Sequence, residues 1–259
     1  QSPQNDAINI SDMHDHILVY AKRARQNRND PKGWKRNPIP RGETQNSRYT
    51  NPDGDPRGAW TSADATVNKT AEERPNLYYP VDNPTTGKQI WPSRRRTWLF
   101  ERTAMENLIR EGRIWWGKGG ANFPRLKKFL SETSSGVVPS TWWTREIAGD
   151  NQESRREIRR LFSDRSEDAF PTPKPVRLLE RIFEVATNPG DLILDSFAGS
   201  GSTGHAVLKL NAQKSELAPR RFILVEGEET IARSVTAERL KRVINGYGDL
   251  VGTGGGFRY

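Results

Sequence analysis

Residues 191–204 read DLILDSFAGSGSTG, and this stretch decides the fold that we expect for the chain. The apolar run Leu192–Leu194 is typical of a buried strand and ends at Asp195. Small residues continue to Gly201, and Ser202–Leu210 is predicted to form a helix. A strand, a glycine turn and a helix in this order bring backbone N–H groups and a helix N-terminus to one point. Many α/β proteins bind nucleotide-like cofactors at such a point.

The elements on both sides of this stretch predict a parallel sheet. A helix is expected from Thr172 to about Thr187, with Pro175 in its first turn. The run RFILVE, Arg221–Glu226, is predicted to be a second buried strand that also ends in an acid, and a helix over about 228–244 follows it. Because strands and helices alternate, the predicted fold class is α/β, a parallel sheet with crossover connections.

The first half of the chain is less regular. Between about 22 and 95, Lys, Arg, Asn, Asp, Pro and Gly dominate without apolar periodicity, so a loop-rich region is predicted. The glycine-rich tail, 251–259, is expected to be flexible. The remaining elements expected here are strands at 16–21 (HILVYA) and 113–116 and helices at 100–111, 124–132 and 152–162.

Composition narrows the classes of function. Among 259 residues there are 41 Lys and Arg against 32 Asp and Glu, a formal charge of +9 that favours a polyanionic partner. A solubilising surface is the alternative. The chain has no Cys, which excludes disulfides, thiolate zinc sites and a Cys nucleophile, and with three His no metal site is predicted. No apolar run approaches the ~18 residues of a membrane span, so a soluble protein of a reducing compartment is expected.

The glycine turn leaves two cofactor classes open. Gly199, Gly201 and Gly204 satisfy G-x-G-x-x-G, a pattern that by itself indicates a dinucleotide. Glu226 can accept hydrogen bonds from the ribose of any adenosine cofactor. Asp195 would repel a pyrophosphate but suits a cofactor with a cationic amino-acid end, such as S-adenosyl-L-methionine. The alternatives are that Asp195 only caps the turn amides and that Glu226 is an exposed acid at a strand end.

Several motifs resemble one enzyme family. Asp195–Thr203, DSFAGSGST, resembles the D-x-F-x-G-S-G-T-T motif of DNA amino-methyltransferases of the permuted β class, and FPTPKP at 170–175 is similar to their other cofactor motif. Five further stretches resemble the methylating (Mod) subunits of type III restriction–modification systems: SDMHDHILVYAK (11–22), GRIWWGKGGANFPRLKKFLSE (112–132), GVVPSTWW (136–143), DNQESRREI (150–158) and VTAERLKRVI (235–244).

The resemblance implies a fold, a cofactor and a reaction. The fold would be a partial Rossmann-like sheet of an S-adenosylmethionine-dependent methyltransferase with a loop-rich target-recognition insertion. The reaction would transfer a methyl group to the exocyclic amine of adenine in double-stranded DNA, with cytosine left open. Phe197 would lie against the methionine part of S-adenosyl-L-methionine. The implied cofactor-binding residues are Lys174, Pro175, Asp195, Phe197, Ala198, Gly199, Gly201, Thr203 and Glu226.

The resemblance also implies partners and a segment order. The partners would be double-stranded DNA, a restriction (helicase) subunit and a second copy of the chain, in the cytoplasm of a prokaryote or in a phage system. The implied segments are 1–22, the end of an upstream catalytic half; 23–165, the target-recognition region and linker; 166–250, the cofactor-binding part; and 251–259, a flexible tail.

The catalytic motif of this family, Asp-Pro-Pro-Tyr or a close variant, is not found, because the chain contains no Pro-Pro pair. In the permuted order this motif precedes Ile17–Lys22, so the catalytic residues are expected upstream of Gln1 and the isolated chain is expected to be inactive. A non-catalytic DNA-binding specificity module is the alternative. A further alternative, a nicotinamide-dependent oxidoreductase, is supported only by the glycine pattern.

The basic residues of segment 22–95, with Arg96, are the candidates for DNA contact. Lys and Arg neutralise phosphates, and Arg can read guanine edges. A solvated insertion is the alternative. The predicted DNA-binding residues are Lys22, Arg23, Arg25, Lys35, Arg36, Arg94, Arg95 and Arg96; Arg28, Lys32 and Arg41 and the aromatic residues Trp34, Trp60, Tyr78, Tyr79, Trp91 and Trp98 lie between them.

Overall fold

The computed structural model describes residues 14–27, 29–134 and 136–259, without the side chain of Thr44. The strands are β1 Ile39–Pro40, β2 Trp60–Asp64, β3 Thr66–Val67, β4 Val81–Asp82, β5 Gln89–Ile90, β6 Thr97–Trp98, β7 Ile114–Trp115, β8 Arg125–Phe129, β9 Gly136–Val137, β10 Leu192–Asp195, β11 Arg221–Leu224, β12 Gly246–Tyr247 and β13 Leu250–Val251. The helices are α1 Glu43–Asn46, α2 Arg102–Arg110, α3 Arg145–Ala148, α4 Asn151–Leu161, α5 Val176–Ala186, α6 Ser202–Gln213, α7 Glu229–Ile231 and α8 Glu238–Asn245, with a π segment, Ala232–Ala237, between α7 and α8.

The chain divides into two compact units. Unit 1 consists of the residues up to Ile39 together with Val138–Tyr259, and unit 2 consists of Pro40–Val137. These bounds differ from the predicted segments, because residues 138–165 belong to unit 1. Helix α4 explains the difference, since its Ile158 and Leu161 pack in the same apolar cluster as Leu240 of α8. The functions assigned to the segments stay predictions.

Unit 1 contains the α/β element predicted from residues 191–204. Strands β10 and β11 pair in parallel, from Leu192 opposite Arg221 to Asp195 opposite Leu224, and α6 lies between them in sequence. Side chains alternate across a strand, so one face of this pair turns Ile193 toward α5 and α6. On the other face the apolar side chains are about half exposed: Leu192, Leu194, Ile223 and Val225.

The predicted helices of unit 1 form where the sequence has helical apolar periodicity and a residue that favours the start of a helix. Helix α4 begins after Asp150, whose carboxylate accepts a hydrogen bond from the Glu153 N–H at 2.7 Å. Helix α5 begins directly after Pro175 and buries Val176 and Phe183. The helices expected at 152–162 and 172–187 are therefore confirmed, but the second begins only at Val176, because the backbone of Pro175 is extended and precedes the first turn.

Unit 2 is built around an antiparallel sheet in the order β2–β8–β7. A separate apolar cluster forms the core, where α2 contributes Met105 and β6 contributes the fully buried Trp98. The indole N–H of Trp98 donates to the Tyr79 carbonyl at 2.8 Å, which satisfies the polar atom of a buried ring. Trp60, Tyr79 and Trp98, named above beside the basic residues, are thus core residues of this unit.

Two predicted elements are wrong. Residues 16–21 form no strand, and Ile17, Leu18, Val19 and Tyr20 are exposed. A strand requires a hydrogen-bonded neighbour, and none pairs with this run in the described part of the chain. Residues 124–132 are not a helix: they form β8, followed by a 3₁₀ turn at Leu130–Glu132.

The strand β8 forms because its inward side chains have partners on β2 and in the loop that precedes β2. Lys127 and Phe129 point inward, as the period of two requires, and the Lys127 ammonium donates to Asp55 at 2.8 Å. Hydrogen bonds from Arg57 and Lys127, with the Arg57 contribution the largest, hold the pKa of Asp55 well below its usual range. Lys127 is therefore part of a buried ion pair.

Three expectations from composition concern membranes, metals and the tail. Within the described residues no helix is both long and apolar enough to cross a bilayer. The same residues contain no group of three His, Cys, Asp or Glu side chains arranged to hold a metal ion. In the tail, the N–H groups of Thr253 and Gly254 donate to carbonyls of α8, at 3.0 and 3.1 Å. The flexibility of 251–259 stays a prediction.

Candidate functional site

The glycine turn after β10 continues the pairing of the two parallel strands. The Val225 N–H donates to the Asp195 carbonyl at 2.8 Å, and the Ala198 N–H donates to the Val225 carbonyl at 2.9 Å. The turn and the end of β11 are therefore held together by backbone hydrogen bonds. Both strand-end acids, Asp195 and Glu226, lie at this edge.

Both acids hold the backbone of the turn. One oxygen of Asp195 accepts from the Phe197 N–H at 3.0 Å, and the other accepts from the Thr203 hydroxyl at 2.6 Å. Glu226 accepts from the Gly199 N–H at 2.7 Å and from the Glu228 N–H at 3.1 Å. These two N–H groups, Glu228 first, lower the pKa of Glu226 below its ordinary value. Asp195 thus caps the turn, and each carboxylate oxygen keeps lone pairs for a further donor.

Steric constraints explain why glycine stands at each of the three positions of the pattern. Gly199 has φ 49° and Gly201 has φ 76°, in the left-handed region where other residues are strained. A Cβ at Gly204 would lie 2.7 Å from a methyl group of Leu240 and 3.1 Å from one of Leu224. Gly204 therefore allows α6 to approach both β11 and α8, the packing role expected of the third glycine of the pattern.

The structure places the other predicted cofactor residues around this turn in different environments. Phe197 is 90% exposed at the start of the turn, whereas Ala198 and Thr203 are buried. Lys174 is exposed and Pro175 is buried immediately before α5. The FPTPKP segment contacts the turn through Phe170. The ring of Phe170 lies 3.0 Å from the position that a Cβ would occupy if Gly199 carried a side chain.

A cavity of about 870 Å³ adjoins the turn along β11. Its lining includes Ala198 and Glu226 from the two strand ends, Thr236 from the π segment, and Phe257 and Tyr259 from the tail. The volume lies within the range of small-molecule sites. A ligand in this cavity would contact residues that include Glu226, Phe257 and Tyr259.

A buried polar network contacts the turn, and the sequence pattern did not predict it. Arg239 of α8 is fully buried, and its guanidinium donates to the hydroxyls of Ser200 and Ser202 at 3.2 and 2.9 Å. It also donates to Glu157 of α4 at 2.8 Å and to Nδ1 of His205 at 3.1 Å. The signal was present, because Arg239 stands four residues from Val235 and from Val243 on the apolar face of this segment.

The stability of unit 1 should depend on pH through His205. Burial, and then the Arg239 charge, lower the pKa of His205 well below 6.5. The folded chain keeps this imidazole neutral while the unfolded chain protonates it, so the free energy of unfolding falls as the pH drops below about 6.5, by at most ~1.4 kcal/mol per unit. His205→Gln, which keeps an acceptor for Arg239, should flatten this dependence in urea unfolding between pH 5 and 7. An unchanged slope would contradict the assignment, because His14 and His16 are common to both proteins.

The predicted DNA-binding residues are divided between the two units. In unit 1, Lys22, Arg23 and Lys35 are exposed, Arg36 is half-buried, and Arg25 donates to the Asp30 carbonyl at 2.8 Å. Arg23 also pairs with the Asp30 carboxylate at 3.6 Å, and Arg28 lies outside the described residues.

The arginine triplet of unit 2 is not uniform. Arg94 and Arg95 are exposed. Arg96 donates to the Thr66 hydroxyl at 2.8 Å and to Asp64 at 3.1 Å, which ties its side chain to β3 and the end of β2. Arg94 and Arg95 are therefore better placed than Arg96 to contact another molecule.

Three characterised proteins share sequence similarity with most or much of this chain. The StyLTI Mod subunit of a type III restriction–modification enzyme from Salmonella typhimurium is 27% identical over 235 residues, which cover 91% of this chain and 33% of that protein. The EcoPI Mod subunit of Escherichia phage P1 is 25% identical, covering 91% and 38%. The type II methyltransferase M.KpnI of Klebsiella pneumoniae is 29% identical, covering 62% and 40%. The chain thus spans between 33% and 40% of the length of these relatives.

Among solved structures, the similarity is weak. TTHA0409, a proposed DNA modification methylase from Thermus thermophilus solved in complex with S-adenosyl-L-methionine, is 18% identical, with a TM-score of 0.23. The match covers 75% of this chain and 74% of that one.

The family comparison extends over nearly the whole chain. The profile of the DNA methylase family, N6_N4_Mtase, matches residues 1–238. This range includes the glycine turn and both strand-end acids. The chain therefore belongs to the DNA methylase family.

Proposed function

We propose that this chain is the cofactor-binding and DNA-contacting part of a methyltransferase that uses S-adenosyl-L-methionine and acts on double-stranded DNA. The observation that carries the proposal is the turn between β10 and α6, where Asp195 at the end of β10 and Glu226 just after β11 hold the glycine backbone. The pair β10 and β11 with α6 would be part of a Rossmann-like sheet. Membership of the DNA methylase family supports this assignment.

The residues of the turn fit this cofactor better than a dinucleotide. Two carboxylates at the turn disfavour the pyrophosphate of a dinucleotide but suit a ligand with an ammonium and a sulfonium. Glu226 borders the cavity and has free lone pairs for ribose hydroxyls. The exposed ring of Phe197 lies two positions after Asp195 and would offer an apolar surface to the methionine end. When bound, the cofactor supplies the methyl group on its sulfonium.

The remaining predicted residues would act at the border of the site. Gly199, Gly201 and Ala198 would let the cofactor approach the backbone, and Thr203 would keep Asp195 in position. Lys174 and Pro175 would contribute to the cofactor site through the FPTPKP segment, which leads into α5. The Phe170 ring of this segment borders Gly199. Methyl transfer would require a catalytic motif that the chain lacks, since it contains no Pro-Pro pair.

The target and the partners are proposals that the family resemblance and the relatives support. We assign the exocyclic amine of adenine as the target, because two of the relatives are Mod subunits, and cytosine is the competing target. The exposed residues Lys22, Lys35, Arg94 and Arg95 are the best-placed candidates for phosphate contact. A restriction subunit and a second copy of the chain are the proposed protein partners.

Calorimetry on the full chain tests the cofactor. S-adenosyl-L-methionine should bind, and Asp195→Ala should weaken this binding by about 1–3 kcal/mol, or 5- to 150-fold, because it removes an acid that faces a cation and that caps the turn. Asp191→Ala is the matched control, since Asp191 caps the turn at the opposite end of β10 by accepting from the Asn188 N–H at 2.7 Å. Binding of NAD without binding of S-adenosyl-L-methionine would show the proposal to be wrong.

A further inference from the structure

The buried guanidinium of Arg239 contacts the inner side of the glycine turn. One of its terminal nitrogens, Nη1, donates to the Ser202 hydroxyl at 2.9 Å and to the hydroxyl and carbonyl of Ser200 at 3.2 and 3.4 Å. Both serines are buried, and their hydroxyls lie 3.1 Å apart. Gly201 stands between them with its left-handed backbone. Arg239 therefore fixes the residues on both sides of the turn's tightest point.

The other side of the guanidinium is fixed by different elements. Its second terminal nitrogen, Nη2, donates to Glu157 of α4 at 2.8 Å and to His205 of α6 at 3.1 Å. A planar guanidinium can donate to acceptors on both sides at once, because its five N–H groups have a rigid, forked arrangement. The ammonium group of a lysine does not have this arrangement of donors. The turn is thus connected through one side chain to two helices besides α8.

The charge of Arg239 reinforces the electrostatics of the helix end. Helix α6 begins at Ser202, and a helix N-terminus carries roughly +0.5 of a charge together with unpaired N–H groups. A guanidinium remains protonated in proteins. Its electrostatic interactions with neighbouring groups are strong where the surroundings are buried and have a low dielectric constant. Its carboxylate partner, Glu157, lies on the Nη2 side, so the Nη1 side faces the turn. The N–H groups at the start of α6 are therefore favourable for an anionic group, whereas Asp195 and Glu226 at the strand ends suit a cationic one.

We propose that Arg239 is a positioning residue for the cofactor site. By holding Ser200 and Ser202 it orients the N–H groups at the start of α6 toward the carboxylate of the cofactor's amino-acid end. This inference rests on the proposed function, since it takes the cofactor to be S-adenosyl-L-methionine. It adds that recognition of the carboxylate depends on a residue that does not contact the cofactor and lies about forty positions further along the chain.

Two ligands that differ only in this carboxylate test the inference. The full chain is titrated calorimetrically with S-adenosyl-L-methionine and with its decarboxylated form, which keeps the ammonium and the sulfonium. Arg239→Lys should lower the affinity for the carboxylate-bearing ligand by about tenfold and the affinity for the decarboxylated ligand by less than about twofold. Ser202→Ala, which removes one acceptor of the guanidinium, should lower the first affinity by about threefold and leave the second unchanged.

The controls separate a positioning role from a structural one. Arg242→Lys changes another arginine of α8, which donates to Asp164, Glu238 and the Leu161 carbonyl, none of them a residue of the turn, and should alter neither affinity. If Arg239→Lys does not fold, as judged by circular dichroism, Ser202→Ala decides the question. Equal losses for both ligands, or no loss for either, would overturn the inference while leaving the proposed function intact. Failure of the unmodified chain to bind either ligand would overturn both.

Discussion

Trp98→Ala should lower the free energy of unfolding of unit 2 by about 4 kcal/mol. Trp98 is fully buried, and replacing a buried tryptophan with alanine leaves a large cavity. The substitution also removes the donor to the Tyr79 carbonyl and the stacking on Phe123, whose ring centroid lies 5.5 Å away. Urea unfolding followed by circular dichroism measures the effect.

Trp91→Ala is the matched control for this substitution. Trp91 lies seven positions earlier and is 49% exposed, with its ring 5.2 Å from that of Tyr78. We expect a loss of less than about 1 kcal/mol, because most of the ring remains in water in the folded state. Similar losses for both variants would contradict the core role of Trp98. A loss of DNA binding in Trp98→Ala would report unfolding, whereas a loss in Trp91→Ala would report contact.

Glu157→Ala should destabilise unit 1 by about 3 kcal/mol. The substitution leaves the fully buried Arg239 guanidinium without its carboxylate partner, and removing one member of a buried ion pair costs about 3–5 kcal/mol. The Glu157 side chain is 23% exposed, so water reaches part of the site and places the effect at the lower end of that range.

The control for Glu157→Ala is another glutamate that pairs with an arginine of α8. Glu238 pairs with Arg242 at 2.8 Å one turn away, where both side chains are partly exposed. Glu238→Ala should cost less than about 0.5 kcal/mol, since exposed pairs of this spacing contribute little. Equal effects of Glu157→Ala and Glu238→Ala in urea unfolding would show that the charge of Arg239 is solvated rather than buried.

The elements that could be predicted from the sequence are those defined by local interactions. The helices α4 and α5 follow from periodic apolar residues and from Asp150 and Pro175 at their starts. The turn after β10 follows from its glycines, because a left-handed backbone is a property of the residue itself. The acids at both strand ends were likewise identified from the sequence, although the hydrogen bonds that Asp195 makes within the turn were only one of two alternatives.

The elements that could not be predicted depend on residues distant in the sequence. Local pattern favoured a helix at 124–132, but pairing with β2, about sixty residues earlier, makes it a strand. An apolar run at 16–21 favoured a strand, but no described neighbour pairs with it. Backbone pairing partners are not encoded within a short window, so local propensity alone could not choose correctly.

The sequence by itself determined the family of the protein and the glycine turn at which we propose the cofactor site, because the turn and its motif are contiguous. Only the tertiary structure decided which charged residues are available. Arg96 is tied to β3, Lys127 is buried beside Asp55, and Arg239 reaches Glu157, 82 positions earlier. The cost of burying a charge depends on what surrounds it in space, so exposed and buried arginines are indistinguishable until the chain has folded.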